Sequence, residues 1–144
     1  GAKHSCGGTT TGRLRCWGDN ADGRSSPPEG TFLSVSSGAG HNCAVASDGR
    51  AECWGFNYFG QAAPPDISFQ QVSAGSNHSC GLTPEGVIEC WGSDNDGQSS
   101  PPTGSFRSVS AGNRHTCAVR SNGAAQCWGF NGFGESTPPP LLPE

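Results

Sequence analysis

Residues 41–55 read His41-Asn42-Cys43-Ala44-Val45-Ala46-Ser47-Asp48-Gly49-Arg50-Ala51-Glu52-Cys53-Trp54-Gly55. Small and apolar residues flank Ser47-Asp48-Gly49, which is the pattern of two strands joined by a three-residue loop. Gly49 can take the left-handed conformation that closes such a loop. With the loop centred on Asp48, Cys43 falls opposite Cys53, close enough for the two thiols to bridge.

Outward from that stretch the same string recurs. Cys6, Cys43, Cys80 and Cys117 stand 37 residues apart, and Cys16, Cys53, Cys90 and Cys127 each follow ten positions later. Every second cysteine opens a Cys-Trp-Gly triplet, at Trp17, Trp54, Trp91 and Trp128. Every first cysteine has a histidine two positions earlier: His4, His41, His78 and His115. Gly12, Gly86 and Gly123 repeat the turn glycine. A fixed period of this length predicts a propeller or a solenoid.

A further strand precedes each later hairpin, at Phe32–Val35, Phe69–Val72 and Phe106–Val109, and each runs into a Ser-x-Gly turn at Gly38, Gly75 or Gly112. After Trp-Gly comes a glycine-punctuated loop ending in a proline pair: Pro27-Pro28, Pro64-Pro65, Pro101-Pro102 or Pro138-Pro139. Proline pairs cannot join a strand ladder, so they mark the crossing between units. The expected fold is all-β: a β-propeller-like array of four 37-residue blades, each a small antiparallel sheet stapled by one disulfide. The whole chain forms one repeat domain, with blades at about 1–31, 32–68, 69–105 and 106–140 and a tail at 141–144.

Composition agrees with thin layers rather than one large core. Of 144 residues, 32% are hydrophobic, 23 are glycine and 11 are proline. Eight cysteines in evenly spaced pairs imply a disulfide framework and an oxidising compartment, hence an extracellular or secreted location. Each such bridge contributes roughly 3 kcal/mol in the chain-entropy model. A formal charge of −4 leaves no basic footprint for nucleic acid, and no apolar run reaches membrane-spanning length. With neither an initiator methionine nor a signal peptide, the sequence reads as a mature or excised segment.

The string His-x-Cys-Ala-Val, a turn glycine, Cys-Trp-Gly-Phe-Asn and a following Phe-Gly-Gln resembles the regulator-of-chromosome-condensation repeat family. It is most similar to the family's short, cysteine-paired, extracellular variety. The resemblance covers residues 1 to about 140 and implies a propeller, commonly seven-bladed. It does not imply nucleotide exchange on a small GTPase, an activity of a longer-bladed nuclear branch whose insertions are missing here.

The count of strands departs from the family. Pro143 stands where a fourth phenylalanine is due, so the Phe-x-x-Val strand occurs three times for four hairpins. The expectation is a last blade that this chain cannot complete, with the missing strand supplied by another copy or by a longer parent chain. A second periodicity points to assembly in pairs. Repeats one and three share Asp-Gly-x-Ser-Ser-Pro-Pro-x-Gly (Asp22 to Gly30, Asp96 to Gly104), and repeats two and four share Cys-Trp-Gly-Phe-Asn-x-Phe-Gly (Cys53 to Gly60, Cys127 to Gly134).

Several residue groups invite a chemical reading. The His-x-Cys-x9-Cys pattern fits no common zinc site, so all eight cysteines are assigned to disulfides. A histidine repeated in every blade suits a structural hydrogen bond better than catalysis, and the tryptophans suit packing between blades. Asp19 to Gly23 and Asp94 to Gly97 hint at calcium loops but lack the acids of an EF-hand, so no metal and no cofactor is expected. Phe56, Tyr58, Phe59, Phe130 and Phe133 sit on glycine-rich loops. There they either form a binding platform or plug the contact between units. Asn77-His78-Ser79 is a glycosylation sequon, and the proline-rich tail is a candidate for modification.

No catalytic constellation stands apart from the repeat, and no enzyme is expected. The expected function is a non-enzymatic, secreted structural or interaction scaffold, self-assembling into oligomers or filaments through incomplete terminal blades. Its partners are then other copies or a longer parent chain, not nucleic acid. The alternative is a lectin-like module binding glycan on the aromatic loops.

Overall fold

The structure, a computed structural model, describes residues 1–141. Strands β1 (His4–Gly8) and β2 (Leu14–Gly18) form blade 1. Blade 2 is β3 (Phe32–Ser37), β4 (His41–Ala46) and β5 (Ala51–Gly55), and blade 3 is β6 (Gln71–Ala74), β7 (His78–Leu82) and β8 (Ile88–Gly92). Blade 4 is β9 (Phe106–Ala111), β10 (His115–Arg120) and β11 (Ala125–Gly129). Every sheet is antiparallel, and the leading strands β1, β3, β6 and β9 follow one another as neighbours along the array. Among the described residues no helix is long and apolar enough to cross a membrane.

The hairpins have the geometry that residues 41–55 predict. Ala46 N donates to Arg50 O at 2.8 Å and Gly49 N to Ala46 O at 2.9 Å, which leaves Ser47-Asp48-Gly49 as the loop. Gly49 has φ +89°, a conformation that side chains rarely adopt. Cys43 pairs with Cys53 in the ladder, and the same register joins Cys6 to Cys16, Cys80 to Cys90 and Cys117 to Cys127. All four pairs are disulfide-bonded, with Cα atoms 4.0–4.1 Å apart.

The incomplete blade lies at the opposite end from the one expected. Blade 4 has all three strands, whereas blade 1 is a two-stranded sheet among the described residues. The reason is pairing direction. Each Phe-x-x-Val strand bonds to the hairpin that follows it, as β3 does to β4, so three such strands complete blades 2 to 4. Pro143 falls outside the described residues.

The core is split into thin layers between blades. Phe69, Val72 and Trp91 of blade 3 pack on Cys43 and Val45 of blade 2, and Phe106, Val109 and Ala118 of blade 4 pack on Cys80, Leu82 and Ile88 of blade 3. Phe32, Val35 and Trp54 of blade 2 reach back to Leu14 of blade 1 in the same way. The disulfides of blades 2 and 3 therefore act as apolar filling, each covered by a phenylalanine and a tryptophan from the next blade. Strands β4 and β7, which have a blade on either side, are buried along their whole length. That is how a chain this poor in large hydrophobes builds a core: each blade supplies half of two layers.

Candidate functional site

Each boundary between blades is cemented by one polar unit, written three times. His41 Nε2 lies 2.7 Å from Ser79 Oγ, and Ser79 Oγ donates to the Gln61 carbonyl at 2.9 Å. Trp91 Nε1 donates to that same carbonyl at 2.9 Å. One boundary further on, His78 Nε2 meets Thr116 Oγ1 at 2.7 Å, and Thr116 and Trp128 both donate to the Gln98 carbonyl, each at 3.0 Å. Between blades 1 and 2, Asn42 replaces the hydroxyl. Its Oδ1 lies 2.7 Å from His4 Nε2, and its Nδ2 donates to the Arg24 carbonyl, which also takes Trp54 Nε1.

The chemistry of this unit fixes the histidine tautomer. Each hydroxyl spends its proton on a carbonyl, so it can only accept from the ring, which must carry its proton on Nε2. The other ring nitrogen, Nδ1, has no hydrogen-bond partner in His4, His41 or His78. Burial, with a smaller push from His78 and His4, holds the pKa of His41 down at about 4. Burial also lowers His78 to about 4, helped by His115 and opposed by Asp94. His41 and His78 are neutral structural donors.

Lesser links run beside this unit. Ser36 Oγ accepts from Ala74 N at 3.0 Å and Ser73 Oγ from Ala111 N at 2.9 Å. The Gln71 side chain bonds both backbone groups of Val109, as a strand would. At the turns, Ala39 N donates to Gly75 O and Ser76 N to Gly112 O, each at 3.1 Å. Gly38 is glycine because a Cβ there would collide with the Gly75 carbonyl.

Among the described residues, Trp17 and His115 lack the partners that their counterparts have. Trp17 holds the position of Trp54, Trp91 and Trp128, yet it is 60% exposed where Trp91 is 9% exposed. Beside it, Arg13, Leu14 and Arg15 line an open groove. At the other end, among the described residues, the His115 ring has no hydrogen-bond partner. It lines a largely apolar pocket of about 490 Å³ with Asn113, Arg114, Phe130, Phe133 and Glu135. A second cavity, of about 320 Å³, exposes Cys117, Val119 and Ala125 of blade 4. Their counterparts Cys80, Leu82 and Ile88 bury Phe106 at the boundary before it.

The aromatic candidates form two separate clusters. Phe56 stacks on Tyr58 at 6.4 Å, and Tyr58 meets Phe59 edge-on at 5.1 Å, leaving Tyr58 82% exposed. In blade 4, Phe130 carries the Arg114 guanidinium 4.3 Å above its ring, while Phe133 is 93% exposed. Gly132 stands where Tyr58 stands in blade 2, so Phe133 loses the ring that covers Phe59. Asn77 is half-buried immediately before β7, and Ser79 of its sequon is the buried hub hydroxyl. The acidic loops are engaged locally. Asp19 and Asp22 pair with Arg24, Asp94 holds Ser99 and Ser100, and Asp96 grips Arg114 through both oxygens.

Sequence reasoning missed the hub residues Asn42, Ser79 and Thr116. Their signal was present: the position between each histidine and cysteine always carries a small polar side chain, Ser5 included.

Among curated proteins none matches the chain in sequence. Several solved structures resemble it. The CRINKLY WD40 ectodomain of the Arabidopsis thaliana receptor kinase ACR4 is 29% identical over 89% of this chain and 47% of its own, with a TM-score of 0.71. The ectodomain of the Physcomitrella patens receptor kinase CR4 is 28% identical over 90% of this chain and 37% of its own, with a TM-score of 0.76. Prp20p of Saccharomyces cerevisiae, at 21% identity, shares the fold with a TM-score of 0.79 over 90% of this chain and 44% of its own. The chain thus spans less than half the length of each. The model of the regulator of chromosome condensation (RCC1) repeat matches residues 1–24, 32–61, 69–98 and 106–135, and the chain belongs to that repeat family.

Proposed function

We propose that this chain is a non-enzymatic, extracellular interaction scaffold that assembles by extending its blade array from one copy to the next. RCC1-like repeats are a domain type commonly used for protein interaction, and in yeast one such protein, Prp20, is held in a complex with Kap60. Four disulfides and the likeness to receptor-kinase ectodomains support the extracellular setting.

The observation that carries the reading is the run of four in-phase blades, joined by the same polar unit at all three internal boundaries. The test is the solution mass of the oxidised chain by light scattering over a concentration series. Mass rising with concentration is expected, and a concentration-independent monomer overturns the assembling form.

The exposed Phe56-Tyr58-Phe59 cluster favours a second reading, a glycan platform, because stacked aromatics on a loop suit the apolar face of a sugar. Binding on a glycan array that a free sugar inhibits and Tyr58→Ala removes is its expected signature. Indifference to sugar rejects it.

A further inference from the structure

We infer that Phe56, Tyr58 and Phe59 of blade 2, with Asp19 and Asp22 on the adjoining loop of blade 1, dock a basic segment of a partner protein and seat a cationic side chain on Tyr58. This rests on the interaction-scaffold reading and names a surface and the chemistry of its partner. Blade 2 has a blade on either side, and both leave Tyr58 and Phe59 exposed.

The matching loop of blade 4 shows what this chemistry takes. There the Arg114 guanidinium lies 4.3 Å above the Phe130 ring, and Asp96 of blade 3 accepts from it through both oxygens, each at 2.8 Å. A ring face beside a carboxylate from the preceding blade is thus already a cation site within this chain. In blades 1 and 2, Phe56 stands for Phe130 and Asp22 for Asp96, but Arg114 is matched by Gly40, which brings no side chain. Arg24 reaches the spot from the blade 1 loop instead. A Cβ on Gly40 would lie 3.2 Å from Phe56 Cβ and 3.9 Å from Arg24 Nη2. The arginine is therefore not a copied residue: one grouping is built from two different chain positions. Nor is the grouping needed to join blades. Between blades 2 and 3 its three places are held by Phe59, Asn77 and Ser93, and that boundary closes all the same.

Charge separates the two places. Asp96 is matched one to one by Arg114 and is largely covered. Asp19 and Asp22 share the single Arg24, which is itself largely buried, and both carboxylates stay exposed. One negative charge is left unbalanced on that rim. The ring that blade 4 lacks, where Gly132 replaces Tyr58, is present on the loop beside this surplus charge. Tyr58 is braced by Phe56 at 6.4 Å and by Phe59 at 5.1 Å, so an ordered ring meets the partner. Arginine, whose planar head suits a ring and a carboxylate together, is the better occupant than lysine.

The probe is acetyl-tetra-arginine amide, titrated at low salt into the oxidised chain while backbone amide shifts are followed by NMR. Shifts are expected at residues 56–59 and 19–22. Tyr58→Ala, at an exposed position, is expected to weaken binding roughly two- to fivefold, and the double variant Tyr58→Ala, Asp22→Asn about tenfold. Asparagine tolerates the positive φ of Asp22, so the loop is kept. Tyr58→Ala changes no charge, and Glu52→Gln on β5 removes one outside the cluster and should bind like the parent. Together they separate a site from general attraction between a basic peptide and a chain of charge −4. A peptide that binds the parent and the double variant equally, or binds neither, overturns the proposal. If the parent still self-associates in light scattering, the scaffold reading then stands on another surface. If a free sugar shifts residues 56–59 and the peptide does not, the loop is the glycan platform and the proposal falls.

Discussion

His41 and Ser79, 38 positions apart in the chain, face each other across the blade 2 to blade 3 boundary with Nε2 and Oγ 2.7 Å apart. The hydroxyl accepts from the ring and donates to the Gln61 carbonyl, so neither polar atom is stranded in a buried layer. Because the same unit repeats at each boundary, the array holds its blades by polar register as well as by thin apolar packing.

Thr116→Val isolates the hub. Valine keeps the branched shape but offers nothing to His78 Nε2–H, and it removes one of the two donors on the Gln98 carbonyl. An unpaired buried donor costs about 1–3 kcal/mol, and that loss is expected in denaturant unfolding. Thr116→Ser restores the hydroxyl and should recover most of it. A loss in Thr116→Ser with none in Thr116→Val would mean that the methyl group, not the hydrogen bond, matters at this position.

Acid should loosen the array through His41 and His78. Burial first, and neighbouring histidines second, lower both to about 4, against about 6.5 in an unfolded chain. Between those values the unfolded state binds more protons than the native state, so stability is full above pH 6.5 and falls as pH drops towards 4. The shifts amount to roughly 3 kcal/mol per histidine. Unfolding midpoints measured from pH 7.5 to 4 are expected to decline over that window, and less steeply in His41→Gln. A flat profile across it would contradict the neutral, buried assignment.

Disulfide reactivity should report how far each blade is covered by the next. Cys43 and Cys80 are fully buried beneath the following blade, whereas Cys6 and Cys16 belong to the two-stranded blade whose tryptophan is exposed. With limiting reductant and an alkylating trap, the Cys6–Cys16 bridge is expected to open first and the Cys43–Cys53 and Cys80–Cys90 bridges last. The untreated chain should weigh ~8 Da less than the fully reduced one. Simultaneous labelling of all eight thiols would show that the blades open as one unit.

These contrasts also explain what the sequence made legible. Cysteine spacing and Gly49 carry the hairpin locally, so strand pairing and disulfides could be read from residues 41–55 alone. The hub could not be read that way. Ser79 and Thr116 are ordinary residues whose partners lie a full repeat away, and only stacking of the blades brings them within reach of histidine. The incomplete end was misplaced because counting Phe-x-x-Val strands gives their number but not which hairpin each joins, and Pro143 drew attention to the wrong terminus. The aromatic loops were visible as residues, but the exposure of Phe133 depends on Gly132 standing in the place of Tyr58.

Gly38 and Gly8 give a paired test of how closely the blades approach. A Cβ on Gly38 would collide with the Gly75 backbone carbonyl, which belongs to a turn already fixed by the Ala39 N–H at 3.1 Å and cannot swing aside like a side chain. A Cβ on Gly8, in blade 1, meets nothing within 4 Å. Gly38→Ala is therefore expected to cost about 1–3 kcal/mol, the usual range for overpacking, by forcing blades 2 and 3 apart at their turns. Gly8→Ala should be neutral or slightly stabilising, since alanine gives the unfolded chain less freedom to lose. Melting temperatures of the two variants measured side by side decide the matter. If Gly38→Ala melts with the parent, the turn ladder from Gly38 through Gly75 to Gly112 is looser than drawn, and the blades are held mainly by the histidine hubs.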